Sequence, residues 1–176
     1  MHKSGEPLLK RFSQSFLNRA DEAAFWESYV GAVLCRHGLH VVHNPMHLGE
    51  YHDPACSTMS DLEVYVDCEP EIGVEVKSRN IYFTSPDDYK WDMVRVCSES
   101  WFRKNWGQYD KFARDFFLVS QKTGAILWIP AGTVAIFGTT ITDRERNETF
   151  SVVQCNKSDL RTVEEFVASV QKTEAH

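Results

Sequence analysis

Asp61-Leu62-Glu63-Val64-Tyr65-Val66 is followed, after Asp67-Cys68-Glu69-Pro70-Glu71, by Ile72-Gly73-Val74-Glu75-Val76-Lys77. In both runs apolar residues alternate with polar ones, the period of a strand with one buried face. The acidic, proline-containing stretch between them reads as a turn, so the two strands form an antiparallel hairpin. With the turn centred near Cys68, position 61 falls opposite position 75. Glu75 and Lys77 share one face of their strand, and Val74 and Val76 anchor the other in the core. Lys77 should therefore be removable at little cost in packing.

The hairpin thus displays two carboxylates, Asp61 and Glu75, beside one ammonium. Carboxylates held close together repel unless a cation or proton lies between them, and a hard oxygen cage of this kind suits Mg²⁺ or Mn²⁺. Such an ion polarises a phosphoryl oxygen and acidifies a bound water. Lys77 beside it could orient that water and stabilise charge developing on phosphorus.

Working outward, Asp21 to His37 reads as a helix with Asp21 as N-cap and Gly38 as a left-handed C-cap. Leu39 to His43 is a short strand, and a His-rich loop with Pro45, Gly49 and Pro54 leads back to Asp61. Beyond the hairpin, Met93 to Cys97 reads as a strand and Glu99 to Arg114 as a helix interrupted near Gly107. Phe116–Gln121 and Ala125–Ile129 flank Lys122-Thr123-Gly124 as a second hairpin. Phe150 to Cys155 is a late strand, and Leu160, Val163, Phe166, Val167 and Val170 mark an amphipathic terminal helix.

The chain has 176 residues, 43% of them hydrophobic, enough for one well-buried core and too few for two ordinary domains. A single domain over 1–176 is expected, with 1–20 as an N-terminal extension and 156–176 as the C-terminal helix. No run of about 20 apolar residues is present, so no membrane association is expected. The N-terminus is polar, unlike a secretory signal. Five scattered cysteines without a Cys-x-x-Cys pair fit reduced thiols in a cytoplasm.

A net charge of −6 argues at first against a nucleic-acid partner. Its distribution argues otherwise. Between His37 and Val76 there are eight acids and no Lys or Arg, whereas Lys77 to Lys122 holds nine basic residues against six acids. An acidic segment that could collect divalent cations precedes a basic one that could hold phosphates. Arg79, Arg103 and Lys104 are the candidate phosphate contacts.

Asp61 followed by Glu75-Val76-Lys77 on an adjacent strand resembles the D…(D/E)xK signature of the PD-(D/E)XK, or restriction-endonuclease-like, nucleases. Ser60 stands where the family's name has proline. The resemblance implies an α/β fold with an αβββαβ core, a mixed central sheet flanked by helices. It also implies catalysis by Asp61, Glu75 and Lys77, metal ligation by Asp61, Glu75 and the carbonyl of Val76, and hydrolysis leaving a 5′-phosphate. Lys77-Ser78-Arg79 with Phe83 to Tyr89 is similar to small nucleases encoded by bacteriophages, which would act in the host cytoplasm. The implied partner is nucleic acid, DNA before RNA. Monomer and homodimer both stay open, as does a nuclease-like module that binds without cutting.

Glu27 lies among Ala23, Ala24, Val30, Gly31 and Leu34 at helical spacing, a carboxylate on an apolar face that needs a partner. The resemblance gives it one, since many members place a helix Glu beside the site, where it binds metal or the metal's water. Gln108 resembles a glutamine that some relatives carry after the catalytic strands. His37, His40, His43, His47 and His52 with Cys35 and Cys56 leave a structural zinc site as a competing expectation, although their spacing matches no compact finger.

Overall fold

The computed structural model describes residues 14–44, 60–66, 69–106, 113–143 and 148–173. The element order is α1 (Gln14–Arg36), β1 (His40–His43), β2 (Leu62–Val66), β3 (Glu69–Arg79), β4 (Met93–Ser98), α2 (Glu99–Trp106), β5 (Ala113–Ser120), β6 (Ile126–Ile129), β7 (Ala135–Asp143), β8 (Glu148–Asn156) and α3 (Val163–Thr173). This is an α/β protein with a mixed five-stranded sheet in the order β1-β2-β3-β5-β6 and a second sheet, β4-β8-β7. The mixed character comes from β5, which runs parallel to β3 after a crossover while its other neighbour pairs are antiparallel.

Both faces of the larger sheet are covered, by different partners. On one face Leu62, Val64, Val66, Val74, Val76, Phe117 and Val119 pack with Val30 and Leu34 of α1 and with Val163, Phe166, Val167 and Val170 of α3. On the other, Phe116, Leu118, Leu127 and Ile129 meet Val94 and Val96 of β4, Cys155 of β8, and Phe83 and Tyr89 of the intervening loop. Helices therefore flank one face, and the smaller sheet replaces them on the other.

The β2–β3 hairpin forms in the expected register, Leu62 opposite Val74 and Glu63 opposite Gly73, which sets Asp61 against Glu75. The turn is centred near Cys68 as expected but is shorter than the expected Asp67 to Glu71, because pairing continues to Val66↔Glu69 and a bulge between Val64 and Tyr65 places one extra residue on β3.

Four boundaries differ from expectation. Helix α1 begins at Gln14, inside the supposed 1–20 extension, because nothing from 14 to 20 breaks a helix; Asp21 is an exposed helical residue rather than the N-cap. Gly38 does end it, with φ +87°. The helix expected over Glu99–Arg114 stops at Trp106, and Ala113 and Arg114 already belong to β5. The C-terminal helix starts at Val163 rather than 156, because Asn156 completes β8 and Lys157–Asp159 is a 3-10 turn. Thr162 caps α3 reciprocally, its N–H donating to Glu165 Oε2 at 2.7 Å and its Oγ1 accepting from the Glu165 N–H at 3.3 Å. Among the described residues no helix is long and apolar enough to cross a membrane.

Candidate active site

Strand β2 begins at Leu62, whereas β3 continues on to Arg79, so the β2-facing edge of β3 is exposed to side chains from residue 75 onward. Asp61 fills that edge. Its Oδ2 accepts the Val76 N–H at 2.7 Å, which holds the carboxylate close to the plane of the sheet. A strand residue projects its N–H and carbonyl from the same edge, so the Val76 carbonyl lies along this edge beside Asp61.

Glu75 and Lys77 project from the face covered by the second sheet. Glu75 is 3% exposed, and Lys77 Nζ donates to its Oε2 at 3.1 Å. Burial by itself disfavours the Lys77 charge, but the Glu75 and Asp61 carboxylates more than offset it and raise its pKa above the ordinary lysine value. The side chain therefore stays an ammonium at neutral pH, able to donate hydrogen bonds and stabilise negative charge. Cys97 of β4 lies close to this pair. Burial pushes its thiol pKa up to about 12, so it is a neutral neighbour and no nucleophile.

Glu27 approaches from the opposite, helix-covered face. It is 6% exposed, as its apolar surroundings on α1 foretell, and His43 Nε2 stands 3.1 Å from its Oε2. Burial, and then the charge of Asp61, raise the Glu27 pKa, while the His43 contact and Lys77 oppose the rise. Asp61 in the edge, Glu27 above it and Glu75 with Lys77 below it thus surround the end of β2.

The helix that carries Glu27 is fixed at two further points. Gln121 Nε2 donates to Glu22 Oε1 at 2.8 Å and to Ser78 Oγ at 3.1 Å, joining α1 to β3 one residue beyond Lys77. Tyr29 Oη donates to the Gly124 carbonyl at 2.9 Å.

Among the described residues no group of three or more His, Cys, Asp and Glu side chains stands close enough to form a ready-made metal cage. Asp61, Glu75 and Glu27 each direct one carboxylate oxygen to a protein partner. The donor set still suits a hard divalent ion, which is commonly held through one or two carboxylates with waters completing the octahedron. Asp61, Glu75 and the Val76 carbonyl are the groups that would hold it.

The remaining candidates separate. Arg79 is turned inward, its guanidinium donating to the carbonyls of Ser78 at 2.9 Å and Val96 at 3.3 Å, and burial lowers its pKa. It ties β3 to β4. Arg103 lies exposed on α2, 2.7 Å from Glu99. Lys104 is on the same helix, but its side chain is not among those described, and Gln108 lies outside the described residues.

Some of the histidines and cysteines of the zinc expectation fall among the described residues. His40 packs on Tyr65 at 4.9 Å between ring centroids, and His43 serves Glu27. Cys35, Cys97 and Cys155 are free thiols, while His47, His52 and Cys56 lie outside the described residues. The contact that sequence reading missed is His43 with Glu27. Parity gave half of the signal, since Val41 and His43 share a face; the other half, that Val41 meets Gly31 one helical turn from Glu27, is visible only in the fold.

A scan against models of protein families matches none of them. A search of curated proteins likewise finds no match to this chain.

Proposed function

We propose that the chain is a divalent-metal-dependent nuclease of the PD-(D/E)XK type that hydrolyses phosphodiester bonds, with DNA as the first substrate to test. The observation that carries this reading is the convergence at the end of β2 of Asp61 with the Glu75–Lys77 pair, joined by Glu27 from the opposite face. The order of elements supports it as well. One helix, three antiparallel strands, a second helix and a strand parallel to the third follow the αβββαβ plan, with β4 inserted into the smaller sheet.

In this mechanism Asp61, Glu75 and the Val76 carbonyl would hold Mg²⁺ or Mn²⁺, which would supply Lewis acidity toward a phosphoryl oxygen and a more acidic water. Lys77, kept charged by its two carboxylate neighbours, stabilises the negative charge that grows on the phosphate as the nucleophile attacks. Glu27 faces the same space and orients water on the helix side. Burial of Glu75 and Glu27 strengthens these electrostatic effects by keeping bulk water away.

The test is a panel of labelled linear, nicked, flapped and four-way DNA, plus RNA, incubated with Mg²⁺ or Mn²⁺ and in parallel with EDTA. Cleavage should require the ion, and Asp61→Asn should lower both ion affinity and rate. Full activity in EDTA would refute the metal mechanism. Binding without cleavage in either ion would favour a nucleic-acid-binding module over an enzyme.

A further inference from the structure

We infer that His43 is a positioning residue for Glu27, holding the Oε2 atom so that Oε1 is the one presented to the ion or its water. The inference rests on the nuclease reading of the site and assigns a task to a side chain which that reading leaves idle. The His43 Nε2 is occupied at 3.1 Å by a carboxylate oxygen, and donation from Nε2–H is the form that an ionised Glu27 selects.

The framework around the pair is tied on both sides. His43 pairs with Leu62, and the next residue repeats the link, with the Asn44 N–H donating to the Asp61 carbonyl at 3.0 Å and Asn44 Nδ2 to the Ser60 carbonyl at 3.2 Å. The ladder that fixes Asp61 therefore fixes His43 relative to it. Helix α1 is pinned separately through Glu22 and Tyr29. Glu27 is the one carboxylate of the site that comes from a helix, across a layer boundary from the hairpin bearing the rest, and a glutamate has three rotatable bonds. His43 bridges that boundary. It converts a flexible side chain into a donor with one committed oxygen, a role typical of groups behind metal ligands.

The test measures Mn²⁺ binding by calorimetry on the whole chain without nucleic acid, beside melting temperature without the ion. His43→Ala should weaken Mn²⁺ binding by about 10- to 100-fold, the usual effect of removing such a group. His43→Gln, whose amide N–H reaches a similar position, should restore most of the loss. In a Glu27→Gln background His43→Ala should add little, because the two act as a unit. A lower melting temperature with unchanged Mn²⁺ affinity would overturn the inference and leave His43 a packing residue, as would a full effect of His43→Ala on top of Glu27→Gln. If the wild type binds Mn²⁺ but cuts no substrate, the nuclease reading fails while the coupling between His43 and Glu27 is still read. A wild type that binds no ion overturns both.

Discussion

The two faces of β3 treat charge in opposite ways. Toward the helices, Val74 and Val76 pack among aliphatic and aromatic side chains, and Glu27 with His43 enters only at the end of the layer. Toward the second sheet, Glu75, Lys77 and Arg79 follow one another at alternate positions beneath β4, against Phe116 and Leu118 on the neighbouring strand. A charge is tolerated out of water only where a fixed partner compensates its lost hydration. The sheet-covered face provides such partners within a few residues, and the helix-covered face provides one. Apolar packing and buried charge are thus divided between the two sides of a single strand.

The comparison is broken most severely by removing charge from the sheet-covered face. On the proposed nuclease reading, Glu75→Gln should reduce turnover on the order of 10³-fold, since losing a group that would hold the metal forfeits several kcal/mol of transition-state stabilisation and each 1.4 kcal/mol is a factor of ten. Lys77→Ala should cost about 10²- to 10³-fold in turnover while leaving nucleic-acid binding in Ca²⁺ intact, as expected of a group acting mainly in the transition state. Single-turnover cleavage and anisotropy would separate the two. Contrary to the expectation from strand parity alone, Lys77→Ala should also destabilise the fold, by about 1 to 3 kcal/mol, because it takes a hydrogen-bonded positive charge away from the buried Glu75 carboxylate. Near wild-type cutting by Lys77→Ala would remove the nuclease assignment.

Next in size is the arginine at the end of the same stripe. Arg79→Met keeps the apolar stem but leaves the Val96 carbonyl without its donor, and should lower stability by about 1 to 3 kcal/mol. Denaturant unfolding measures this. If Arg79 served phosphate instead, stability would hold and the salt dependence of binding would flatten, reversing the inward role the geometry assigns to it.

Smaller again is the clamp on the helix-covered side. Gly124 has φ +73°, and a Cβ there would meet Tyr29 Oη at 3.2 Å. Gly124→Ala should cost about 1 kcal/mol through the left-handed backbone, with a further penalty if the tyrosine must shift. A neutral result by thermal unfolding would show that this attachment of α1 is soft, which would weaken the case for a pinned Glu27.

How much of this was readable beforehand follows the same division. The hairpin was legible because a half-buried strand writes its two faces into alternate residues, and Asp61, Glu75 and Lys77 came with it. Glu27 was legible as a carboxylate on an apolar stripe. Its partner was not, since joining His43 to Glu27 requires knowing that α1 and β1 run antiparallel across one layer. Strand β7 passed unrecognised, and with it the smaller sheet; its pairing with β8 is broken by a register shift between Ile136 and Thr140. The inward contacts of Arg79 to the Ser78 and Val96 carbonyls were not legible. A sequence does not distinguish a guanidinium aimed at phosphate from one aimed at a carbonyl.

Arg103 offers the smallest effect and the cleanest contrast with Arg79. It sits on α2, its side chain 67% exposed and 2.7 Å from Glu99 in an i,i+4 pair. Exposed pairs of this kind contribute only ~0.3 to 0.5 kcal/mol, because water screens the charges and two long side chains must be ordered to meet. Arg103→Ala should therefore leave the melting temperature almost unchanged, where Arg79→Met lowers it. Any role it has must appear in binding. A contact to one phosphate releases about one condensed counterion, so losing it should reduce the slope of log affinity against log salt by about 1, equally for all sequences. Anisotropy titrations of wild type and variant from low to moderate salt read that slope directly. A reduced slope with unchanged stability would extend the proposed nucleic-acid surface from the end of β3 onto α2, whereas parallel lines would confine the proposal to the site around Asp61.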